Sequence, residues 1–296
     1  MRLATIQWNG TEEAALVMKD GFLPLRKLNE HTAENWPTDL FTLIETGELE
    51  LLKRWLREEF ERMPEGALEA SLMAFSEADY APLYRHPRKI WGIGLNYAEH
   101  AADLKEVSPD TEPASFMKPD TTIIGPGDAI ELPKQSNRVT AEAELGIIIG
   151  TECKNVSRED AFDVVAGFTT VIDMTAEDIL EKNPRYLTRA KSFDTFFSFG
   201  PELVTPDEVE AVLELTVATV KNGEVHRKNS VSNMTFRPRE LIAFHSEVMT
   251  LLPGDIISTG TPGAVVIRDG DVVECRIDGF QTLHNPVEDL KLPGRE

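Results

Sequence analysis

Cysteine is scarce in this 296-residue chain. The two present, Cys153 and Cys275, are far apart and have no Cys or His near them at metal-ligand spacing, which argues against a thiolate metal site and makes two free thiols the expectation. Basic residues are also few. Thirty Lys and Arg against 51 Asp and Glu give a formal net charge of −21, an excess that disfavours nucleic acid and anionic membrane as partners. An acidic protein that handles an acidic substrate needs a local positive centre, and a bound cation would provide one. No apolar run is long enough to span a bilayer, and Met1–Ile6 lack the apolar core of a signal peptide, so the cytoplasm is the expected compartment. There is no internal repeat. What remains, with 41% hydrophobic residues, has the composition of a soluble globular protein, long enough for one large core or two domains.

Turn signals divide the chain into many short segments. Residues 2–8 and 14–19 read as strands around the turn Asn9-Gly10-Thr11, with a short third strand after Asp20-Gly21. Helices are expected from Thr38-Asp39-Leu40 onward and over 47–63. Prolines in 81–87 mark a connector and place a boundary near residue 85. Beyond it, 89–94 reads as a strand, 97–104 as a helix, 160–166 as a helix, 167–172 as a strand and 239–249 as a helix. Asn222-Gly223 turns a hairpin, and several strands follow Pro253-Gly254-Asp255. Short strands with scattered helices predict an α+β, β-rich fold rather than a doubly wound sheet.

Glu142 and Glu144 interrupt a β-branched, apolar run that ends at Gly150. Period-two alternation sends both carboxylates to one face. On a core strand they would repel and lose hydration unless something compensates, most simply a divalent cation, and oxygen-only donors suit Mg²⁺, Mn²⁺ or Ca²⁺. On an edge strand they would simply face solvent. Asp173 closes the apolar run Gly167–Ile172, at a strand end facing a cleft or as a cap for the helix begun by Thr175-Ala176-Glu177-Asp178. His100 and Asp103 share a face of their helix, where the carboxylate can orient the imidazole as a general base, or they decorate a surface helix. Lys191, among aromatics, could bind a substrate carboxylate or enolate, or pair with Asp194 or another acid. The segment Ser258-Thr259-Gly260-Thr261-Pro262-Gly263 could hold an anionic oxygen or be a plain turn, and it lacks the spacing and lysine of a nucleotide-binding P-loop.

Taken in order, Gly94-Leu95-Asn96-Tyr97-Ala98-Glu99-His100, Phe116-Met117-Lys118-Pro119, Ile124-Gly125-Pro126-Gly127-Asp128, Ala141-Glu142-Ala143-Glu144-Leu145, Asp173-Met174-Thr175-Ala176-Glu177-Asp178, Arg189-Ala190-Lys191-Ser192-Phe193-Asp194 and Gly260-Thr261-Pro262 resemble the fumarylacetoacetate hydrolase family. The resemblance runs from about residue 88 to 288. It implies a β-sandwich-roll catalytic domain at 86–296, a small α+β N-terminal domain at 1–85, and a homodimer. It further implies Mg²⁺ or Mn²⁺ held by Glu142, Glu144 and Asp173, with Lys191, Thr261 and Gly260 on the substrate and His100 with Asp103 as base. Thr140 and Ala141 stand where the family often has an acidic and then an aromatic residue, and Asp103 stands where a longer glutamate is frequent.

The activity so implied is hydrolytic C–C cleavage of an acylpyruvate-type 2-oxo or β-diketo acid, in catabolism of aromatic or sugar-acid compounds. A 2-oxo-acid decarboxylase, isomerase or dehydratase is the alternative within the family. A non-catalytic ligand-binding protein is the alternative outside it.

Overall fold

A computed structural model describes residues 1–60, 68, 71–103 and 106–294, with Asp103 described by its backbone alone. Its first strands are β1 (Arg2–Trp8), β2 (Thr11–Met18) and β3 (Gly21–Pro24), followed by α1 (Leu25–His31), α2 (Leu40–Glu45) and α3 (Glu48–Glu58). Then come β4 (Asp79–Tyr80), β5 (Ile90–Gly94), α4 (Ala98–Asp103), β6 (Ala114–Lys118), β7 (Ile123–Ile124), β8 (Ile130–Leu132) and β9 (Val139–Ile149). The middle of the chain adds β10 (Val165–Ala176), α5 (Glu177–Lys182), α6 (Leu187–Lys191), β11 (Phe197–Val204), β12 (Thr216–Lys221) and β13 (Glu224–Ser230). The last elements are α7 (Pro238–Val248), β14 (Ile256–Ser258), β15 (Ala264–Ile267), β16 (Val272–Ile277) and β17 (Leu283–Asp289).

The strands form two sheets. Twelve make the larger, in the order β3-β2-β1-β11-β10-β9-β14-β5-β6, with β15 also on β9, β4 on β1 and β7 on β11. Five make the smaller, in the order β13-β12-β16-β17-β8. This is the expected α+β, sheet-rich sandwich, with no closed barrel among the described residues. The expected division near residue 85 falls between β4 and β5, and β1 pairs with β11 in the larger sheet. No described helix is long and apolar enough to cross a membrane. Both cysteines are free, and burial pushes the Cys275 thiol up to about 12.

β9 and β10 lie at the centre, and every residue of both is buried. The odd-numbered side chains of β9, Val139 to Ile149, join the core shared with Val217, Val273 and Cys275 of the smaller sheet. Ile148, on the other face, joins Leu40, Leu43 and Leu52 of the N-terminal helices. A strand covered on both faces needs apolar residues nearly throughout, and the even-numbered Thr140, Glu142 and Glu144 break that rule. That exception marks the site.

Three local expectations need correction. The helix expected over 160–166 is a single 3₁₀ turn, Ala161–Val164, because Val165 already pairs with Ile149 at the start of β10. Asp173 does not end its strand. The register Met174↔Ala141, Thr175↔Thr140 and Ala176↔Val139 carries β10 three residues further, so Asp173 lies inside the ladder opposite Glu142. Nor does Asp173 cap α5, whose N-cap is Ala176 with no side-chain hydrogen bond. α1 was not foreseen, while the helix expected over 47–63 is α3, its last three positions lying outside the described residues. Leu104, expected to end the helix carrying His100, also lies outside them.

Gly146 keeps this centre closed. A Cβ there would stand 2.8 Å from both Thr169 Cγ2 and Val171 Cγ2 on β10. Gly146→Ala should therefore cost about 1–3 kcal/mol by overpacking, read as a lowered urea midpoint. An unchanged midpoint would show that β9 and β10 are less tightly packed than described.

Candidate metal centre

Glu142, Glu144 and Asp173 converge. Their Cα atoms sit in one antiparallel ladder, with Glu142 opposite Asp173 and Glu144 opposite Val171, so the three side chains share a face. They are 8%, 2% and 1% exposed, which rules out an edge strand facing solvent. β14 and β15 cover the other side of β9, through Ser258↔Gly146 and Ala264↔Glu142. One oxygen from each carboxylate lies within 4.8 Å of the others. Two oxygens that far apart can straddle an ion about 2.4 Å from each, within the range of hard-cation bonds. The donor set is all oxygen, as Mg²⁺, Mn²⁺ or Ca²⁺ requires.

Two lysines offset the charge. Lys191, at the end of α6, donates to Asp173 Oδ2 at 2.6 Å and to Glu142 Oε2 at 3.0 Å. Lys118, at the end of β6, donates to Asp173 Oδ1 at 2.6 Å and to the backbone carbonyl of Lys191. Thr175 donates its hydroxyl to Glu142 Oε1 at 2.6 Å. Lys118 carried no assigned role in the sequence. Its signals are its place in the family-like segment Phe116-Met117-Lys118-Pro119 and at the end of a strand just before a proline, while its partner Asp173 stands 55 residues away.

The third carboxylate is held by neutral donors. Ser258 Oγ and the Gly260 N–H, at 2.9 Å, both donate to Glu144 Oε2. Gly260 is required here twice over. Its φ is +94°, and a Cβ would lie 2.8 Å from Asn96 Cβ and 3.0 Å from Ile93 O, so only glycine turns its N–H onto Glu144.

These surroundings push the carboxyl groups apart. Burial acts to raise Asp173, but Lys118 and Lys191 outweigh it and hold the group low. Burial, then the charges of Asp173 and Glu142, push Glu144 up to about 8. Burial lowers Lys118, whereas Lys191 is raised, because Asp173, Glu142 and Glu144 overcome its desolvation. With both lysines protonated, three ionised carboxylates would leave one net negative charge; a proton on Glu144 makes the metal-free cluster neutral.

Of the other expected residues, Gly260 touches the cluster through its N–H. His100 is buried on α4. The loop before α4 is fixed by Asn96, which donates to Thr259 O at 2.7 Å and Phe236 O at 2.9 Å, setting α4 beside the Gly260 turn. The side chain of Asp103 lies outside the described residues. Thr261 is buried, and its hydroxyl caps its own turn, accepting from Gly263 N at 3.2 Å and standing 3.5 Å from Thr219 Oγ1. Lys191 has no need of Asp194, since Asp173 and Glu142 are its partners.

Residues 89–288 match the family model "Fumarylacetoacetate (FAA) hydrolase C-terminal". The chain belongs to this family. It is 44% identical over 204 residues to an uncharacterized protein of Methanocaldococcus jannaschii, covering 69% of this chain and 84% of that one. It is 36% identical over 248 residues to a mitochondrial oxaloacetate tautomerase of Xenopus laevis, covering 77% of each. Among solved structures it resembles maleylpyruvate hydrolase from Sphingobium sp. SYK-6 in complex with manganese(II) and pyruvate. That likeness has a TM-score of 0.78 at 29% identity, covering 98% of this chain and 99% of the other.

Two outcomes follow from the cluster. Between the ordinary carboxyl value of 4.5 and about 8, folded metal-free protein keeps a proton on Glu144 that the unfolded chain has released. This group therefore costs stability progressively as pH rises through that window, and a cation must displace its proton. Calorimetric titration with Mn²⁺ at pH 7, in buffers of differing ionisation enthalpy, should show proton release and an affinity that rises towards pH 8; pH-independent binding would contradict the balance. Lys118→Met removes one partner of a buried pair and should lower metal-free stability by about 3–5 kcal/mol in urea unfolding. A change within error would mean that Lys118 is not needed to hold Asp173.

Proposed function

We propose that this member of the fumarylacetoacetate hydrolase family is a divalent-cation-dependent enzyme that acts on small 2-oxo acids through their enolates. Within that class, we assign keto–enol tautomerisation of an oxaloacetate-type diacid. The charge balance of the cluster carries the reading. Three carboxylates and two lysines sum to −1, and a divalent cation brings the sum to +1, which gives an acidic protein one buried positive spot for an anionic substrate.

Glu142, Glu144 and Asp173 would hold Mg²⁺ or Mn²⁺. A bound ion of this kind supplies Lewis-acid stabilisation of negative charge on the substrate's carboxylate and keto oxygens. Lys191, fixed by Asp173 and Glu142, sets an ammonium beside the oxygen where enolate charge develops. His100, on the helix anchored by Asn96, moves one proton between the carbon next to the keto group and the enolate oxygen, so that the C–H bond broken is matched by the O–H bond formed, or the reverse. Thr261 and Gly260 shape the wall of the substrate site. The division near residue 85 and the homodimer belong to the same proposal and rest on family likeness.

Tautomerisation needs no attacking water, so the enolate centre alone suffices. It is also the activity named for the Xenopus relative, which is more similar in sequence than the named hydrolase. The second reading is hydrolytic C–C cleavage of an acylpyruvate. The likeness to maleylpyruvate hydrolase and the buried His100, with Asp103 as its expected partner, favour it.

Decay of enol-oxaloacetate absorbance with Mg²⁺ or Mn²⁺, run beside pyruvate release from acylpyruvates, separates the two. Wild-type protein should accelerate the first, and Lys191→Met should lower kcat by about 10²–10³-fold. Pyruvate release without tautomerisation would establish the second reading, and neither activity would overturn both.

A further inference from the structure

Lys191 is held on a third side by an aromatic ring. Its Nζ lies 4.9 Å from the centroid of Phe116, and its other contacts are the two carboxylates. Phe116 is on β6, directly opposite Gly92 on β5. Gly92 does not adopt a left-handed backbone, so conformation gives no reason for glycine there. Space does: a Cβ at Gly92 would meet Phe116 Cζ and Cε2 closer than the ring can accept without moving. Two strands at the sheet edge thus lack one side chain so that another can lie flat across the gap and reach the lysine.

We propose that Phe116 is a positioning residue for Lys191, and that Gly92 is there to admit its ring. An ammonium has three donors on a flexible stem. Glu142 and Asp173 occupy two of them, and the negative face of the ring flanks the ammonium at 4.9 Å, leaving the third donor for a substrate oxygen. The ring keeps the ammonium from swinging towards solvent and sets the direction from which a substrate oxygen meets it. The catalytic part of this inference rests on the enolate reading above; the ring-to-ammonium contact does not.

The test uses the full chain with Mn²⁺ and oxaloacetate, and a readout independent of turnover. In protein labelled with ¹³C at lysine Cε, the Lys191 resonance, identified by its loss in Lys191→Met, should be ring-current shifted. It should return to an ordinary position in Phe116→Leu and in Gly92→Ala. Phenylalanine analogues with one, two and three ring fluorines at position 116 should lower kcat stepwise, on the order of tenfold in total, with KM and Mn²⁺ affinity unchanged. Because Gly92→Ala acts by displacing the ring, adding it to Phe116→Leu should cost nothing further in kcat. An unshifted Lys191 resonance in wild-type protein would overturn the contact. A shifted resonance with kcat indifferent to fluorination would overturn the positioning role. Absence of turnover in wild-type protein would count against the enolate reading and leave the resonance to decide the contact.

Discussion

Three carboxylates sharing one buried face are the constraint on which the rest of the structure depends. Each ionised group taken out of water costs several kcal/mol unless paired, and here they also repel one another. The protein answers with unlike devices. Asp173 receives two ammonium groups, Glu142 receives one and a threonine hydroxyl, and Glu144, given only neutral donors, is pushed up to about 8 by burial and then by the charges of Asp173 and Glu142. This inequality makes the cluster tolerable without a cation and receptive to one. The only deprotonation needed is of the group most ready to bind an ion in the proton's place.

The scaffold follows from the same constraint. Acidic groups can be held this rigidly only on strands fixed from both sides, and β9 is flanked by β10 on one side and by β14 and β15 on the other. The break between β14 and β15 is where Gly260 turns its N–H onto Glu144. Asn96 then ties that turn to the loop before α4, so hydrogen bonds link the carboxylate, the turn and the segment leading into the helix that carries His100. Gly92 does a similar service at the sheet edge by leaving room for Phe116.

Much of this was legible in the sequence, for identifiable reasons. The alternation of Glu142 and Glu144 is local, so period two was enough to put them on one face. Whether that face is buried depends on β14 and β15, which arrive more than a hundred residues later, so the solvent-facing alternative stayed open until the pairing was seen. Asp173 was misplaced at a strand end because Thr175-Ala176-Glu177-Asp178 looks like a helix start. Its true position follows from pairing with Val139–Ala141, which no local pattern encodes. Lys118 escaped because a buried lysine is recognised by its partner, and that partner comes from another strand. The sequence leaves the segment with Gly260 and Thr261 as either a holder of an anionic substrate oxygen or a plain turn, and the oxygen that the Gly260 N–H meets is that of Glu144.

The central claim is that this cluster holds one divalent cation. Anomalous diffraction at the manganese edge, from crystals grown with Mn²⁺, tests it most directly. The account predicts a single strong peak bounded by oxygens of Glu142, Glu144 and Asp173, with Lys118 still paired to Asp173. A site that stays empty at saturating Mn²⁺, or a peak lying elsewhere on this acidic surface, would contradict it.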